Sequence, residues 1–362
     1  MNKNNFFVDS EFWIDKRVLV TGHTGFKGSW LTTWLIRMGA NICGISLEPS
    51  NEKNLFSLLN IHNKIQHNII DIRKFDLINR KINKFSPDII FHLAAQPLVL
   101  ESYKNPRYTW ETNVMGTINI LESLKYTQKK CIIICITTDK VYKNKEWIYG
   151  YRENDPLGGY DPYSSSKAAA EIAIDSWRSS FCGQAPDQNS YLHIASARSG
   201  NVIGGGDWSK NRIVSDAIRA LEVDKPILLR NPLSTRPWQH VLDPLAGYLL
   251  LAQNLFEKQS DLASPFNFGP SCDSNRTVNE LLEEILIYWP GNYTISNDNN
   301  LPHEAKLLNL AIDKAHHKLG WSSRWHFSKA VERTVLWYKN VYDGKYSAFE
   351  ACLEDLSLYL RS

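Results

Sequence analysis

The chain has 362 residues, 43% of them hydrophobic, and 41 Lys and Arg stand against 38 Asp and Glu for a net charge of +3. So even a balance excludes a global field for nucleic acid, and no Lys/Arg-rich tract interleaved with aromatics takes its place. The longest apolar runs, such as Cys131–Ile136, are far too short to cross a bilayer, and residues 1–15 lack the build of a signal peptide, so a cytoplasmic protein without a membrane partner is expected.

Arg17–Thr21 (RVLVT) reads as the first buried strand and runs into Gly22-His23-Thr24-Gly25-Phe26-Lys27-Gly28, after which 29–38 has helical character. Glycines permit the tight turn and let the backbone approach a pyrophosphate resting on the N-terminus of the next helix. His23 and Lys27 inside the loop either meet pyrophosphate oxygens or face solvent. The second strand, 41–47, is followed by Glu48, 20 positions after Gly28. An acidic group there accepts from an adenosine ribose hydroxyl and repels a 2′-phosphate, which favours NAD over NADP. After a third strand at 68–70, Asp71 and Ile72 are placed to meet the adenine. Phe75–Phe85 reads as a helix and 88–93 as the fourth strand, with Leu93, Ala94 and Ala95 where a cofactor passes close to the backbone. A helix over 108–125 leads to the fifth strand, 131–137, which ends in Thr138-Asp139-Lys140. Asp161 as cap and Pro162 in the first turn open a helix over 163–181, and 192–197 is the sixth strand. Near-continuous apolar strands alternating with helices predict an α/β doubly wound parallel sheet of Rossmann type.

After Arg198 the texture changes. Residues 200–208 (GNVIGGGDW) are glycine-rich, 231–240 (NPLSTRPWQH) are dense in proline and aromatics, and mixed helices and loops follow Thr277. The expected division is a dinucleotide-binding domain of residues 1–198, rejoined by 240–266, and a smaller α/β lobe of 199–239 and 267–362 at the carboxyl edge of the sheet. Asn297–Asn300 reads as a short loop. The six cysteines, at 43, 131, 135, 182, 272 and 352, contain no CxxC pair and read as reduced core thiols rather than metal ligands.

Tyr163 and Lys167 are four apart and share a helical face. A phenol titrates near 10 and is a poor base at neutral pH, but a neighbouring ammonium and a positive nicotinamide both favour the phenolate. Thr138 stands 25 positions earlier, at the end of the fifth strand, where its hydroxyl shares the reacting oxygen. Asp139 and Lys140 add an acid/base pair beside the hydride-transfer group.

These residues resemble the extended short-chain dehydrogenase/reductase family of nucleotide-sugar enzymes. The matching stretches are GHTGFKGSWL (22–31), FHLAAQPLV (91–99), TNVMGT (112–117), TTDKVY (137–142), GYRENDPLGGYDPYSSSK (150–167), RSGNVIGGGDW (198–208), RPWQHV (236–241), NFGP (267–270) and PHEAKLLNL (302–310). They lie in the expected order over nearly the whole chain. GHTGFKGSW, the Thr-Asp-Lys triplet and RPWQHV are the most specific and resemble the 4,6-dehydratases of CDP-linked glucose. The resemblance implies redox work at sugar C4 for Thr138, Tyr163 and Lys167, and elimination of water across C5 and C6 for Asp139 and Lys140. It assigns Asn113 to the cofactor, Asn201 and Arg236 to the nucleotide diphosphate, and Gln96 to the sugar pocket. Related dehydratases of dTDP-glucose carry Asp-Glu where this chain has Asp139-Lys140; Lys140 serves as the C5 base only if its pKa is lowered, and otherwise assists Asp139. The product type implies a route to deoxysugars of cell-surface polysaccharide.

A nucleotide-sugar 4-epimerase needs the Thr/Tyr/Lys group but no pair at C5 and C6. A binding-only protein needs neither. The resemblance also implies a homodimer, or a tetramer, through the helices at 108–125 and 163–181. Ile174, Trp177 and Phe181 permit such pairing, unless they pack on their own sheet.

Overall fold

The apolar runs lie side by side in one parallel sheet of seven strands. They are β1 (Arg17–Thr21), β2 (Asn41–Ser46), β3 (Gln66–Ile69), β4 (Ile89–His92), β5 (Cys131–Ile136), β6 (Leu192–Ser199) and β7 (Pro265–Phe268), in the spatial order β7-β6-β5-β4-β1-β2-β3. The structure, a computed structural model, describes residues 8–49, 53–257, 260–295 and 307–362. The expected loop at 297–300 and the 302–306 part of the PHEAKLLNL stretch lie outside the described residues.

Successive residues of a strand point to opposite faces, and here both faces are covered. Val18, Val20, Ile132 and Ile134 pack with Trp30 and Trp34 of α1 (Phe26–Arg37). Leu19, Ile133 and Cys135 pack on the other face with Ile78 and Ile82 of α2 (Phe75–Phe85) and Ile174 of α3 (Pro162–Phe181). This double burial is why the strands read as unbroken apolar runs. The chain winds outward from β1 in both directions, so a crevice opens between the carboxyl ends of β1 and β4.

Several boundaries differ from expectation for physical reasons. β3 is the edge strand, QHNI, half exposed, with no apolar run to mark it. The helix expected over 108–125 begins at Pro106 and is split into Pro106–Trp110, a π-helical turn Glu111–Met115, and Gly116–Glu122. The widened turn, a feature often found at functional sites, lets Asn113 reach across to the next segment. α4 (Leu242–Glu257) and β7 return to the main sheet, and β7 stays paired with β6 as far as Phe268, past the expected boundary at 266. The C-terminal helices are α5 (Phe327–Tyr342) and α6 (Ala348–Arg361). α6, expected in the lobe, packs instead on α1: Arg37 Nη1 donates to Leu353 O at 3.1 Å and to Ser357 Oγ at 2.7 Å. The lobe itself contains short strand pairs, 202–203 with 239–240, 227–229 with 293–295 and 235–237 with 275–277, and the helices Ile213–Leu221 and Val278–Tyr288.

Cys43, Cys131, Cys135, Cys182 and Cys352 are free, and burial pushes the Cys131 and Cys135 thiols up to about 12. One buried acid makes stability depend on pH. Asp243 is fully buried; its Oδ1 accepts from Tyr359 Oη at 2.9 Å and from the Arg324 amide at 2.8 Å, while Oδ2 has no partner among the described residues. Burial pushes its carboxyl up to about 6. The folded state therefore binds the proton more tightly, and the stability this gives is complete below the unfolded value of about 4 and lost as pH rises through about 6. The difference is on the order of 3 kcal/mol at neutral pH. Asp243→Asn is expected to raise the melting temperature at pH 8 and not at pH 4, as thermal melts at the two pH values will show.

Candidate active site

The glycine loop is tight enough to exclude side chains at two positions. Gly22 has φ of +76°, and a Cβ there would lie 2.8 Å from Ala94 N; a Cβ at Gly28 would lie 2.1 Å from Gly22 O. Gly25 caps α1 without any side-chain hydrogen bond, so the first-turn amides face the cleft with the positive end of the helix dipole behind them. Thr24 Oγ1 meets Ser46 Oγ at 2.7 Å and donates to Leu47 O at 2.9 Å, tying the loop to the end of β2 beside Glu48. Gly22, Thr24, Gly25, Phe26, Lys27, Gly28, Glu48, Asp71, Ile72, Leu93, Ala94 and Ala95 all line one continuous cleft. Asp71 is held by Arg73, with Nη2 to Oδ2 at 2.6 Å, which outweighs its partial burial and keeps its carboxyl below the usual range. These residues fit a dinucleotide: a pyrophosphate finds amides without a competing side chain, and an acid follows β2 for a ribose.

The cleft is about 1960 Å³, well above the roughly 300–1,000 Å³ that holds one small ligand, so it has room for a second. Its far wall comes from the lobe, where Asn201, Lys210, Arg212, Arg230 and Arg236 line it. This basic wall suits a second diphosphate. Arg236 lies on the 235–237 strand, with Nη1 donating to Thr235 O at 2.7 Å.

Between the two halves stand the residues of the expected chemistry. Asp161 caps α3 by accepting from Ser164 N at 2.9 Å, with Pro162 in the first turn, and this start presents Tyr163 and Lys167 toward the sheet. Both are buried, 8% and 7% exposed, yet both line the cleft. Thr138, just past β5, lies beside the Tyr163 phenol, whose charged form it favours, and donates to Asp139 Oδ1 at 2.9 Å. Asp139 is only 4% exposed. It lies beneath the cleft surface rather than on it, with Oδ2 so close that a Cβ on Gly200 would stand 2.8 Å away. Burial raises its carboxyl above the usual range, against the pull of Lys140 and of the Thr138 hydrogen bond. Lys140 lines the cleft beside it.

Burial likewise pushes the Tyr163 phenol up to about 12, while the Thr138 hydrogen bond and the Arg212 charge pull it down. The cation that acts most on the phenol is thus Arg212 from the lobe, not the Lys167 that the four-residue spacing suggests. Lys167 Nζ donates to Ile136 O at 3.2 Å, and burial lowers it to about 8.

Three assignments change. His23 does not line the cleft: its ring is packed against Gly44 and Phe56, and its Nε2 meets His67 Nδ1 at 2.7 Å. Burial and His67 lower it to about 4, so it is neutral and no partner for a pyrophosphate. Gln96 is turned inward, donating to Thr109 Oγ1 at 2.8 Å, and does not line the cleft. Asn113 is also set back from it. Its side chain accepts from Gln96 N at 2.8 Å and donates to Ser166 Oγ at 2.9 Å, clamping the loop after β4 to α3.

Lys27 neither faces solvent nor points along the loop. Its Nζ donates to Ser199 Oγ at 2.8 Å, and burial and Arg212 lower it to about 7 while Asp139 raises it. Arg212 and this orientation of Lys27 were not legible in the sequence, because both depend on how the lobe closes on the sheet.

The family described as GDP-mannose 4,6 dehydratase matches residues 19–334. The chain is 44% identical over 333 residues to the CDP-glucose 4,6-dehydratase of Salmonella typhimurium, covering 92% of this chain and 93% of that protein. It is 27% identical over 327 residues to a putative UDP-glucose 4-epimerase of Methanocaldococcus jannaschii, covering 89% and 98%. Among solved structures, the dTDP-glucose 4,6-dehydratase of Streptomyces venezuelae with NAD bound superposes with a TM-score of 0.75 at 21% identity, covering 92% of this chain and 99% of that one.

Proposed function

The chain belongs to the GDP-mannose 4,6 dehydratase family, and from that premise we propose that it dehydrates CDP-glucose to CDP-4-keto-6-deoxy-glucose. NAD occupies the glycine-loop half of the cleft and the nucleotide sugar the lobe half, with Asn201 and Arg236 at the diphosphate. Bound there, NAD would supply the hydride acceptor for oxidation at sugar C4 and the hydride donor for reduction at C6.

Tyr163 removes the proton of the C4 hydroxyl, and Thr138 holds that oxygen. The C4 ketone acidifies the proton on C5; Lys140, as base or as helper of Asp139, is assigned to its removal, and a proton goes back onto C5 when the hydride is delivered to C6. Asp139, whose carboxyl burial raises above the usual range, passes its proton beside Thr138 to the departing C6 hydroxyl, which leaves as water. Arg212 supplies positive charge to the phenol, and Lys167, a turn along α3, lines the same cleft with its ammonium held by Ile136 O. The observation that carries this reading is the place of Thr138, beside a buried phenol whose charged form it favours and hydrogen-bonded to a buried carboxyl. An epimerase has a task for the phenol and none for the carboxyl.

Incubation with NAD and CDP-, dTDP-, UDP- or GDP-glucose tests it, through the alkaline ultraviolet absorbance of a 4-keto-6-deoxy sugar. Turnover of CDP-glucose is expected. Turnover of only another donor overturns the substrate, and a 4-epimer without loss of water overturns the reaction.

A cytoplasmic homodimer completes the proposal. No helix among the described residues is long and apolar enough to cross a membrane. Ile174, however, is spent on its own core, Trp177 packs against the same cluster, and Phe181 packs on Trp177. The exposed apolar residues of the two helical segments are instead Ile172, Trp110 and Met115, and these are assigned to the contact.

A further inference from the structure

Glu171 follows Lys167 by four residues, as Lys167 follows Tyr163, so the three share one face of α3. It is 2% exposed. Its Oε1 accepts from Thr137 Oγ1 at 2.5 Å, and its Oε2 accepts from Ser196 Oγ at 2.9 Å and from Arg198 Nη2 at 2.7 Å. Arg198 Nη1 in turn donates to Tyr142 Oη and to Glu153 O, each at 2.8 Å, and Tyr142 donates to Asn267 Oδ1 at 2.7 Å. A single buried carboxylate thus ties α3 to the ends of β5 and β6. The tripeptide Thr138-Asp139-Lys140 is strung between two of its anchors, Thr137 before it and Val141-Tyr142 after it.

A buried ion pair is often no more stabilising than apolar side chains of the same volume, and a core this large has no evident need of one. We propose that Glu171 is a positioning residue, which through Thr137 and Arg198 fixes the spacing between the C4-oxidising group (Thr138, Tyr163, Lys167) and the elimination acid Asp139. The proposal rests on the dehydratase reading for what the spacing is for. Burial lowers the Lys167 ammonium to about 8, and Glu171, after Cys135, works against that lowering.

Two variants test it. Glu171→Gln preserves the shape and removes the charge. Glu171→Gln with Arg198→Met removes both charges, so that no arginine is left buried and unpaired. It carries the measurements if the single variant fails to fold. Lysine side-chain NMR of the unliganded chain is expected to show Lys167 titrating below about 8 in both variants. In steady state, kcat is expected to fall about 100-fold, the scale of an ångström's misplacement, with KM nearly unchanged and reduced nicotinamide accumulating because oxidation outruns elimination. The double variant is expected to regain thermal stability without regaining kcat. An unmoved Lys167 titration, or a double variant that recovers kcat together with stability, reduces Glu171 to a structural residue and overturns the proposal. If the unmutated chain dehydrates none of the four donors, the dehydratase reading falls instead, and the Lys167 titration still decides whether Glu171 acts on that lysine.

Discussion

Tyr163→Phe is expected to lower kcat by about 10²–10⁴-fold, the range for losing a positioned acid–base group, while nucleotide-sugar affinity measured by calorimetry changes little. The variant removes one oxygen from a buried site and leaves the ring, so packing on α3 is preserved. Without ligands the phenol stands at about 12, chiefly through burial, and is neutral at pH 7. The positive charge that lowers it comes from Arg212 and from the bound nicotinamide. Because the phenolate is the working form, turnover rises with pH along the acid limb of the profile. A phenylalanine variant that retains kcat within a few-fold would assign the C4 proton to another group.

Asp139→Asn is expected to separate the two halves of the reaction. The amide keeps the oxygen that accepts from Thr138 at 2.9 Å but has no carboxylic proton to give. Dehydration should fall by about 10²–10⁴-fold, while oxidation at C4 continues and the fluorescence of reduced nicotinamide builds up. Burial raises the Asp139 carboxyl, so the wild-type acid persists above the ordinary carboxylate range and is lost as pH rises further. With the opposite demand from Tyr163, the profile of kcat is bell-shaped. Loss of the reduced-nicotinamide signal together with dehydration would place Asp139 in the oxidation step.

What the sequence revealed follows from the range of the forces involved. Strands buried on both faces appear as apolar runs, so the sheet could be read from β1 to β6, and Asp161-Pro162 marked the start of α3 by capping chemistry alone. β3 was read at 68–70, but its start at Gln66 was not, because an exposed edge strand needs no apolar run; the place of α6 was missed because nothing local indicates that Trp34 will meet Tyr359 across the fold. In the site, the residue types and spacing of Tyr163, Lys167, Thr138 and the glycine loop were legible, since each depends on one element. The direction a side chain takes was not. His23 and Gln96 are polar residues in cleft-forming motifs, yet each finds its partners inside the protein, His67 for one and Thr109 for the other. Glu171 and Arg198 meet across 27 residues, and no periodicity announces such a pair.

The central claim is that one phenol, one hydroxyl and one carboxyl serve successive steps on a single bound sugar. CDP-glucose carrying deuterium at C4 tests this most directly, with the product analysed by NMR and mass spectrometry. The expected product is a 4-keto-6-deoxy sugar with the deuterium at C6 of the same molecule. Deuterium returned to C4 of an intact hexose, or washed into solvent, would contradict the account.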